Sequence, residues 1–414
     1  MRGQLVARLV DAEIARLGAQ FPALMVVGAR AVGKTTAARQ FAKTVVRLDR
    51  ADEAAIYAAD PDAALSAEAE PVLLDEWQEV PGVLAAVKRA VDDDRRPGRF
   101  VLAGSVRADL EASSWPGTGR VVRVPIYGLT VGECHGRPGA GLDFVAAVRD
   151  GDPTQIPLPE QMPDVLGYVD LACRGGFPVP ALSDDEPFRR RWLASYVGEL
   201  VTRDLVRLGE RRDPVRLRRY LRAAALHPAS VVQQQTLVDL AGVDHKTTAA
   251  YDRVLESLFV FEEVPAWHSR RLPRLAKAGK RYALDSSLAM PAAGISRDTL
   301  LRDAVLLGRI IETFVIAQLR PLLAVRDDEP SLHHVRQRDG RHEIDVLVEF
   351  GDGRILALEI KAAASVGVRD ARHIVWLRDE LGDRFAGGAV LHTGRRPYRI
   401  ADDVLAVPIA ALWG

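Results

Sequence analysis

An apolar run, Ala23-Leu24-Met25-Val26-Val27, stops at Gly28, and eight residues from there end in Gly33-Lys34-Thr35. This constrains the fold more than any other stretch, because it dictates a buried strand, a tight glycine-bounded turn and a helix, in that order. Glycines at 28 and 33 let the backbone turn sharply. The N–H groups of Gly28, Ala29, Arg30, Ala31, Val32 and Gly33, with the helix start at Lys34, Thr35 and Thr36, then converge on one anion. In a phosphate-binding P-loop of this kind Lys34 reaches the β- and γ-phosphates of ATP, and the Thr35 hydroxyl coordinates Mg2+. The rival reading, a glycine turn before an ordinary helix, does not require the strand, loop and helix to occur together.

A second short run, Pro71-Val72-Leu73-Leu74, ends in Asp75-Glu76, as a central parallel strand does when it delivers acids to the nucleotide edge of a sheet. Asp75 is the candidate to hold Mg2+ through water, and Glu76 to polarise the attacking water. A third run, Phe100 to Ser105, ends in a hydroxyl suited to orienting the same water.

Leu73 to Pro81 (LLDEWQEVP), Leu102-Ala103-Gly104-Ser105 and Gly119-Arg120, with the P-loop, resemble prokaryotic AAA+ ATPases that carry a long, uncharacterised C-terminal region. Gly175-Gly176-Phe177-Pro178, Arg203-Asp204 and Lys280 to Asp285 (KRYALD) are similar to marks of that region. The resemblance implies an ATPase site completed by an arginine from a neighbouring subunit, hence a homo-oligomer, although a monomer or dimer stays open. Arg107 and Arg120 are the candidates, and Arg120, after Gly119 at a strand entry, is preferred.

The balance of 56 basic against 56 acidic residues leaves any nucleic-acid surface to local patches. Two cysteines, Cys134 and Cys173, argue for a reducing compartment and against structural zinc. With neither a signal core nor a membrane-length apolar span, the chain reads as cytoplasmic, with no membrane partner. Only seven of the basic residues are lysine. Lysine should survive mainly where the arginine fork cannot replace it, and Lys34 and Lys361 both fall at candidate chemical positions.

Along the chain, Leu5, Leu9, Val10 and Ile14 have the spacing of one helix face, and Val45 to Asp49, Val83 to Val91 and Arg120 to Val124 read as strand, helix and strand. Residues 1–130 are therefore expected to form the AAA+ core. Helical periodicity at Phe188 to Leu208 and Val215 to Leu226 predicts a helical lid or linker over 131–226. Its arginines at 189 to 191, 211, 212, 216, 218 and 219 read as a solvated face.

Residues 227–292 have the pattern of a winged helix. Leu237, Leu240 and Ala241 share a helix face, Gly242 turns, Asp244 caps a second helix packing through Ala249, Val254 and Leu255, and Leu258 to Phe261 starts a wing. His245, Lys246, Thr248 and Tyr251 are expected on its exposed side, and Arg270, Arg271, Arg274, Lys277, Lys280 and Arg281 make the hairpin basic, so DNA is the expected partner.

Over 293–414, Leu301 to Leu319 predicts an apolar helix bearing Glu312. Glu343 to Phe350 and Ile355 to Lys361 then read as a hairpin about Gly351-Asp352-Gly353. Alternation puts Glu359 and Lys361 on one face, where Asp345 can join them. The set resembles the PD-(D/E)xK nuclease fold, with Ile344 in place of the usual proline. That resemblance implies Asp345 and Glu359 as ligands of Mg2+ or Mn2+, Glu312 as an extra acid, and Lys361 as the residue that positions or activates water.

The expected architecture is thus α/β: a P-loop AAA+ parallel sheet, a helical lid, a winged helix and a C-terminal α/β restriction-endonuclease-like domain. Two functions compete. One is an ATP-hydrolysing protein acting on DNA with a metal-dependent nuclease-like domain; the other is a signalling or scaffold ATPase whose C-terminal domain binds without cutting. A small-molecule kinase is disfavoured, since no substrate-pocket motif is present.

Overall fold

The computed structural model describes residues 5–104, 119–204, 213–268, 275–276, 278–337 and 340–414. The chain divides into two compact units, residues 1–128 with 255–260, and residues 129–254 with 261–414.

The first unit alternates strands and helices: α1 Leu9–Gly18, β1 Ala23–Val27, α2 Lys34–Arg39, β2 Thr44–Arg47, α3 Ala51–Ala59, α4 Pro61–Ser66, β3 Val72–Asp75, α5 Gly82–Asp93, β4 Phe100–Gly104 and β5 Val121–Pro125. All five strands are parallel, in the order β2-β3-β4-β1-β5. Every residue of β1, β3 and β4 is buried, which is why these strands read as unbroken apolar runs. Leu9, Val10 and Ile14 of α1 are buried as expected, whereas Leu5 is exposed. The C-terminal ends of β1 and β3 carry the P-loop and the acidic pair to one edge of the sheet.

The second unit begins with helices: α6 Val131–Cys134, α7 Phe144–Asp150, α8 Val165–Arg174, α9 Pro178–Ala181 and α10 Glu186–Glu199. They are followed by α11 Pro214–Ala225, α12 Gln234–Ala241, α13 His245–Ser257, the antiparallel pair β6 Phe261–Val264 and β7 Lys280–Ala283, α14 Ala289–Ala293, α15 Arg297–Arg302 and α16 Ala304–Ala324. Then come β8 Ser331–Arg336, β9 Glu343–Glu349, β10 Ile355–Lys361, α17 Val368–Leu381, β11 Phe385–His392, β12 Tyr398–Ala401 and β13 Val404–Pro408. These last strands form a mixed sheet in the order β12-β13-β11-β10-β9-β8. Helices cover both faces of β11. A Cβ on Gly387 would lie 3.0 Å from the Val148 carbonyl oxygen on α7, and one on Gly388 would lie 2.4 Å from Ile374 on α17. Two adjacent glycines therefore admit close packing on opposite faces at once.

The segment expected as a lid joins this unit. Phe144, Val145 and Val148 are buried, the Ala410 amide donates to the Tyr168 hydroxyl at 3.1 Å, and Arg137 donates to the Trp413 carbonyl at 3.2 Å. Residues near 410 thus pack against this segment within the same unit.

In the segment expected as a winged helix the helices and hairpin occur in the expected order, but three expectations fail. Leu240 is 53% exposed, and the first hairpin strand starts at Phe261, because Phe259 takes a left-handed φ of 55°. Thr248 and Tyr251 are buried rather than surface-facing. The Thr248 hydroxyl donates to the His245 carbonyl at 2.8 Å, and the Tyr251 ring lies 5.5 Å from that of Tyr220.

Candidate functional site

The P-loop has the backbone that its glycines and Ala31 require. Gly33 sits at φ 96° and Ala31 at φ 62°. A Cβ on Gly28 would stand 2.2 Å from the Ile126 carbonyl oxygen of the neighbouring strand's exit, so no larger residue fits there. Lys34 opens α2 and is 6% exposed. Its ammonium donates to the carbonyls of Gly28 at 3.1 Å and Ala29 at 2.7 Å. Burial pulls it down to about 8, against the opposing pull of Glu76 and Asp75. A lysine held this way lies within the loop whose amides would bind a triphosphate.

Thr35 Oγ1 donates to Asp75 Oδ1 at 2.8 Å, which joins the first helix turn to the end of β3. Burial raises the Asp75 carboxyl above its ordinary range, and the Thr35 hydroxyl partly offsets this. A hydroxyl and a carboxylate in contact beside the loop fit Mg2+, a hard cation bound with few protein ligands alongside phosphates. Glu76 follows in the left-handed region at φ 51°, and Gln78 Nε2 donates to its Oε2.

Arg8 belongs to this site, although nothing in the motifs points to it. It is buried, and its guanidinium donates to the Val32 carbonyl at 3.0 Å and the Tyr127 carbonyl at 2.8 Å. It thereby fixes the loop from behind. Arg120 lies against α5, ion-paired with Asp92 at 2.9 Å. Ser105 and Arg107 lie outside the described residues.

In the second unit the four residues picked from sequence do meet, with a fifth among them. Lys280 Nζ lies 2.6 Å from Glu312 Oε1 and 2.8 Å from Asp345 Oδ1, and is 3% exposed. The Tyr282 hydroxyl donates to Glu312. Lys361 Nζ lies 2.7 Å from Glu359 Oε1. The Ile360 amide donates to Asp345 Oδ2 at 3.0 Å, and the Asp345 amide to Glu359 Oε2 at 3.4 Å. Burial, then the nearby Asp345 charge, pushes Glu312 up to about 7 and Glu359 up to about 8. For Asp345 burial is the largest influence and works upward, but Lys280, the Ile360 amide and Lys361 together hold the carboxyl below its usual range.

This set does not fit the expected divalent ion. Among the described residues no group of three or more His, Cys, Asp or Glu side chains is arranged to hold a metal. An ammonium stands between Glu312 and Asp345, against one of the two carboxylates, Asp345 and Glu359, that the nuclease-like reading gives to the metal. The same contacts correct the expectation of a basic wing. Lys280 is buried, and Arg281 is paired with Asp252 at 2.7 Å and with the Tyr220 hydroxyl at 3.0 Å. Arg270, Arg271, Arg274 and Lys277 lie outside the described residues.

Two further marks of the sequence meet in space. Asp285, buried, accepts from the Gly176 amide at 2.7 Å and from the Ser287 amide at 2.9 Å. A Cβ on Gly175 would fall 2.2 Å from the same carboxylate.

The parallel sheet, the P-loop and the Thr35–Asp75 contact give the first unit the architecture of a P-loop nucleotide-binding domain, similar to AAA-type ATPases. Comparison agrees: residues 20–135 match the family model described as an AAA domain. Residues 166–299 and 307–412 match two models described as domains of unknown function, DUF8612 and DUF4143. Over 392 residues the chain is 27% identical to the uncharacterized proteins Rv2008c of Mycobacterium tuberculosis and Mb2031c of Mycobacterium bovis, covering 94% of this chain and 80% of each of those. Among solved structures it is similar to the Walker-type ATPase PABY2304 of Pyrococcus abyssi, with 13% identity and a TM-score of 0.39, covering 68% of this chain and 94% of that one. Among the described residues no helix is long and apolar enough to cross a membrane.

Proposed function

We propose that this protein is an ATP-hydrolysing AAA+ switch that acts on DNA through its second unit. The observation that carries the ATPase reading is the Thr35–Asp75 contact beside a P-loop closed by Gly28. The amides of residues 28–34 would hold the triphosphate, with Lys34 moving from the Gly28 and Ala29 carbonyls to the phosphates. Thr35 and Asp75 would hold Mg2+, which supplies neutralisation of phosphate charge. Glu76, fixed by Gln78, orients a water and accepts its proton. An arginine from a second copy completes the site; Arg120 serves only by leaving Asp92.

For DNA, support comes from the exposed face of α11, which carries Arg216, Arg218, Arg219 and Arg222, and from exposed His245 and Lys246 at the start of α13. Cations on a helix face and at a neighbouring helix start suit a phosphate backbone. Phosphate release from ATP, measured with single-stranded, duplex and branched DNA, tests the reading. Stimulation lost in a charge-reversed α11 supports it, and indifference to every DNA rejects it.

The C-terminal order of helix, hairpin, helix and strand supports a nuclease-like fold. The ammonium between Glu312 and Asp345 favours the reading without cleavage, in which this unit binds a partner or nucleic acid. Incubation of labelled DNA in Mg2+ or Mn2+, with and without ATP, decides between them. Nicks that disappear in Glu359→Ala would restore the nuclease.

A further inference from the structure

The β6–β7 hairpin is not a free wing. Its register sets Val264 opposite Lys280 and Glu262 opposite Tyr282, so these four side chains share one face. That face meets α16 through two buried ion pairs of opposite sense. The hairpin gives Lys280 to Glu312 at 2.6 Å, and α16 gives Arg320, 4% exposed, to Glu262 at 3.1 Å. Between them the Tyr282 hydroxyl reaches Glu312. Beyond β6, the Trp267 amide donates to the His334 carbonyl at 2.8 Å, which ties the hairpin to β8 as well.

The carboxylates are also spoken for. Glu312 Oε1, Asp345 Oδ1 and Oδ2, and Glu359 Oε1 and Oε2 each accept from an ammonium, hydroxyl or amide within 3.5 Å. Divalent ions need deprotonated oxygens that converge with free lone pairs. Here N–H donors converge instead, and an added ion would sit against a buried ammonium. Removing one member of such a pair leaves an uncompensated buried charge, so loss of Lys280 alone strongly disfavours the closed arrangement.

We infer that Lys280 is the resident cation of this cluster: paired with Glu312 and Asp345, its ammonium supplies the positive charge that a divalent ion at Asp345 would bring, and latches the β6–β7 hairpin onto α16 and β9. The inference stands apart from the ATPase reading and does not require DNA binding. While the latch is closed this cluster holds no divalent ion, and it is accessible to a metal only after the hairpin lifts.

The test uses the full chain without nucleotide, so that the P-loop does not recruit metal through phosphates. Mn2+ is titrated at neutral pH and the free ion read by electron paramagnetic resonance. No stoichiometric uptake below about millimolar Mn2+, far above the affinity of a dedicated protein site, is the expected result. Uptake of one ion per chain that disappears in Asp345→Asn would overturn the inference. This arm needs no altered Lys280. In a second arm, amide hydrogen exchange is compared for the wild-type, Lys280→Met and Lys280→Arg proteins. Lys280→Met is expected to speed exchange over 261–264 and 280–283 at least tenfold, as a released element does, with β1 unchanged and Lys280→Arg closer to wild type. Unchanged hairpin exchange in Lys280→Met would refute the latch.

Discussion

Thr35 Oγ1 lies 2.8 Å from Asp75 Oδ1 although 40 residues separate them in the chain. The contact joins the loop that would hold phosphates to the strand that would hold Mg2+. Lys34→Ala removes the ammonium that neutralises the loop, and Asp75→Asn removes the charge opposite Thr35. Both are expected to abolish hydrolysis while the fold persists, as phosphate release and circular dichroism will show. Hydrolysis unchanged in Lys34→Ala would sink the P-loop assignment.

Glu76 should behave differently. As a water-orienting base it contributes to rate and not to binding, so Glu76→Gln should cut turnover by about 10²- to 10⁴-fold. Affinity for a fluorescent ATP analogue should remain within a few-fold. Loss of both together would make Glu76 structural.

Gly28→Ala tests the loop by volume. The new methyl meets the Ile126 carbonyl oxygen at 2.2 Å, a backbone atom that cannot swing aside. Overpacking of this kind costs about 1–3 kcal/mol. A lowered melting temperature with weakened nucleotide binding is expected, and an unchanged protein would contradict the geometry.

Acid should destabilise the second unit through its histidines. His334 is fully buried, its Nε2 faces the Ala278 carbonyl at 3.0 Å, and burial lowers it from 6.5 to about 4. Between those values the unfolded chain binds the proton and the folded one does not, so stability rises with pH there. The full contribution is present above pH 6.5 and is lost as pH falls toward 4, on the order of 3 kcal/mol for this group. Urea unfolding at pH 5 and pH 7 will compare wild type with His334→Gln, whose dependence should be shallower.

Asp285→Ala should destabilise by about 3 kcal/mol, since it strands the buried Gly176 and Ser287 amides at once. Asp285→Asn, which keeps an acceptor oxygen, should lose less. Equal losses in thermal unfolding would argue that charge, not hydrogen bonding, holds the Gly175 turn.

The first unit was legible because its chemistry fixes residue type, spacing and order together: Gly28, Lys34 and Asp75 fall where the parallel strands end. Arg8 was hidden, since nothing local marks a guanidinium that caps a carbonyl 24 residues away. In α13 periodicity finds a stripe but not which side is inward: the Thr248 hydroxyl finds the His245 carbonyl inside, and the Tyr251 ring packs against Tyr220. Leu240 shows the converse, an apolar residue left in water. Lys280 sits among five other cations in sequence and so reads as surface, yet it is one of only seven lysines. The scarcity that singles out Lys34 and Lys361 applies to it equally. Glu312, Asp345, Glu359 and Lys361 were brought together as alternation requires, but pattern alone does not reveal which cation sits among them.

The pairing of Tyr168 with the amide of Ala410 spans 242 residues, and this separation sets an order of events during synthesis. Strands β1 to β5 have all been synthesised by residue 125, so the first sheet has its full set early. Helices α7 and α8 must wait about 12–48 s for the residues that cover them, at 5–20 residues per second. Throughout that interval Phe144, Val148 and Tyr168 lack their final partners, which makes the middle of the chain, and not its nucleotide-binding end, the stretch that a nascent-chain chaperone would hold.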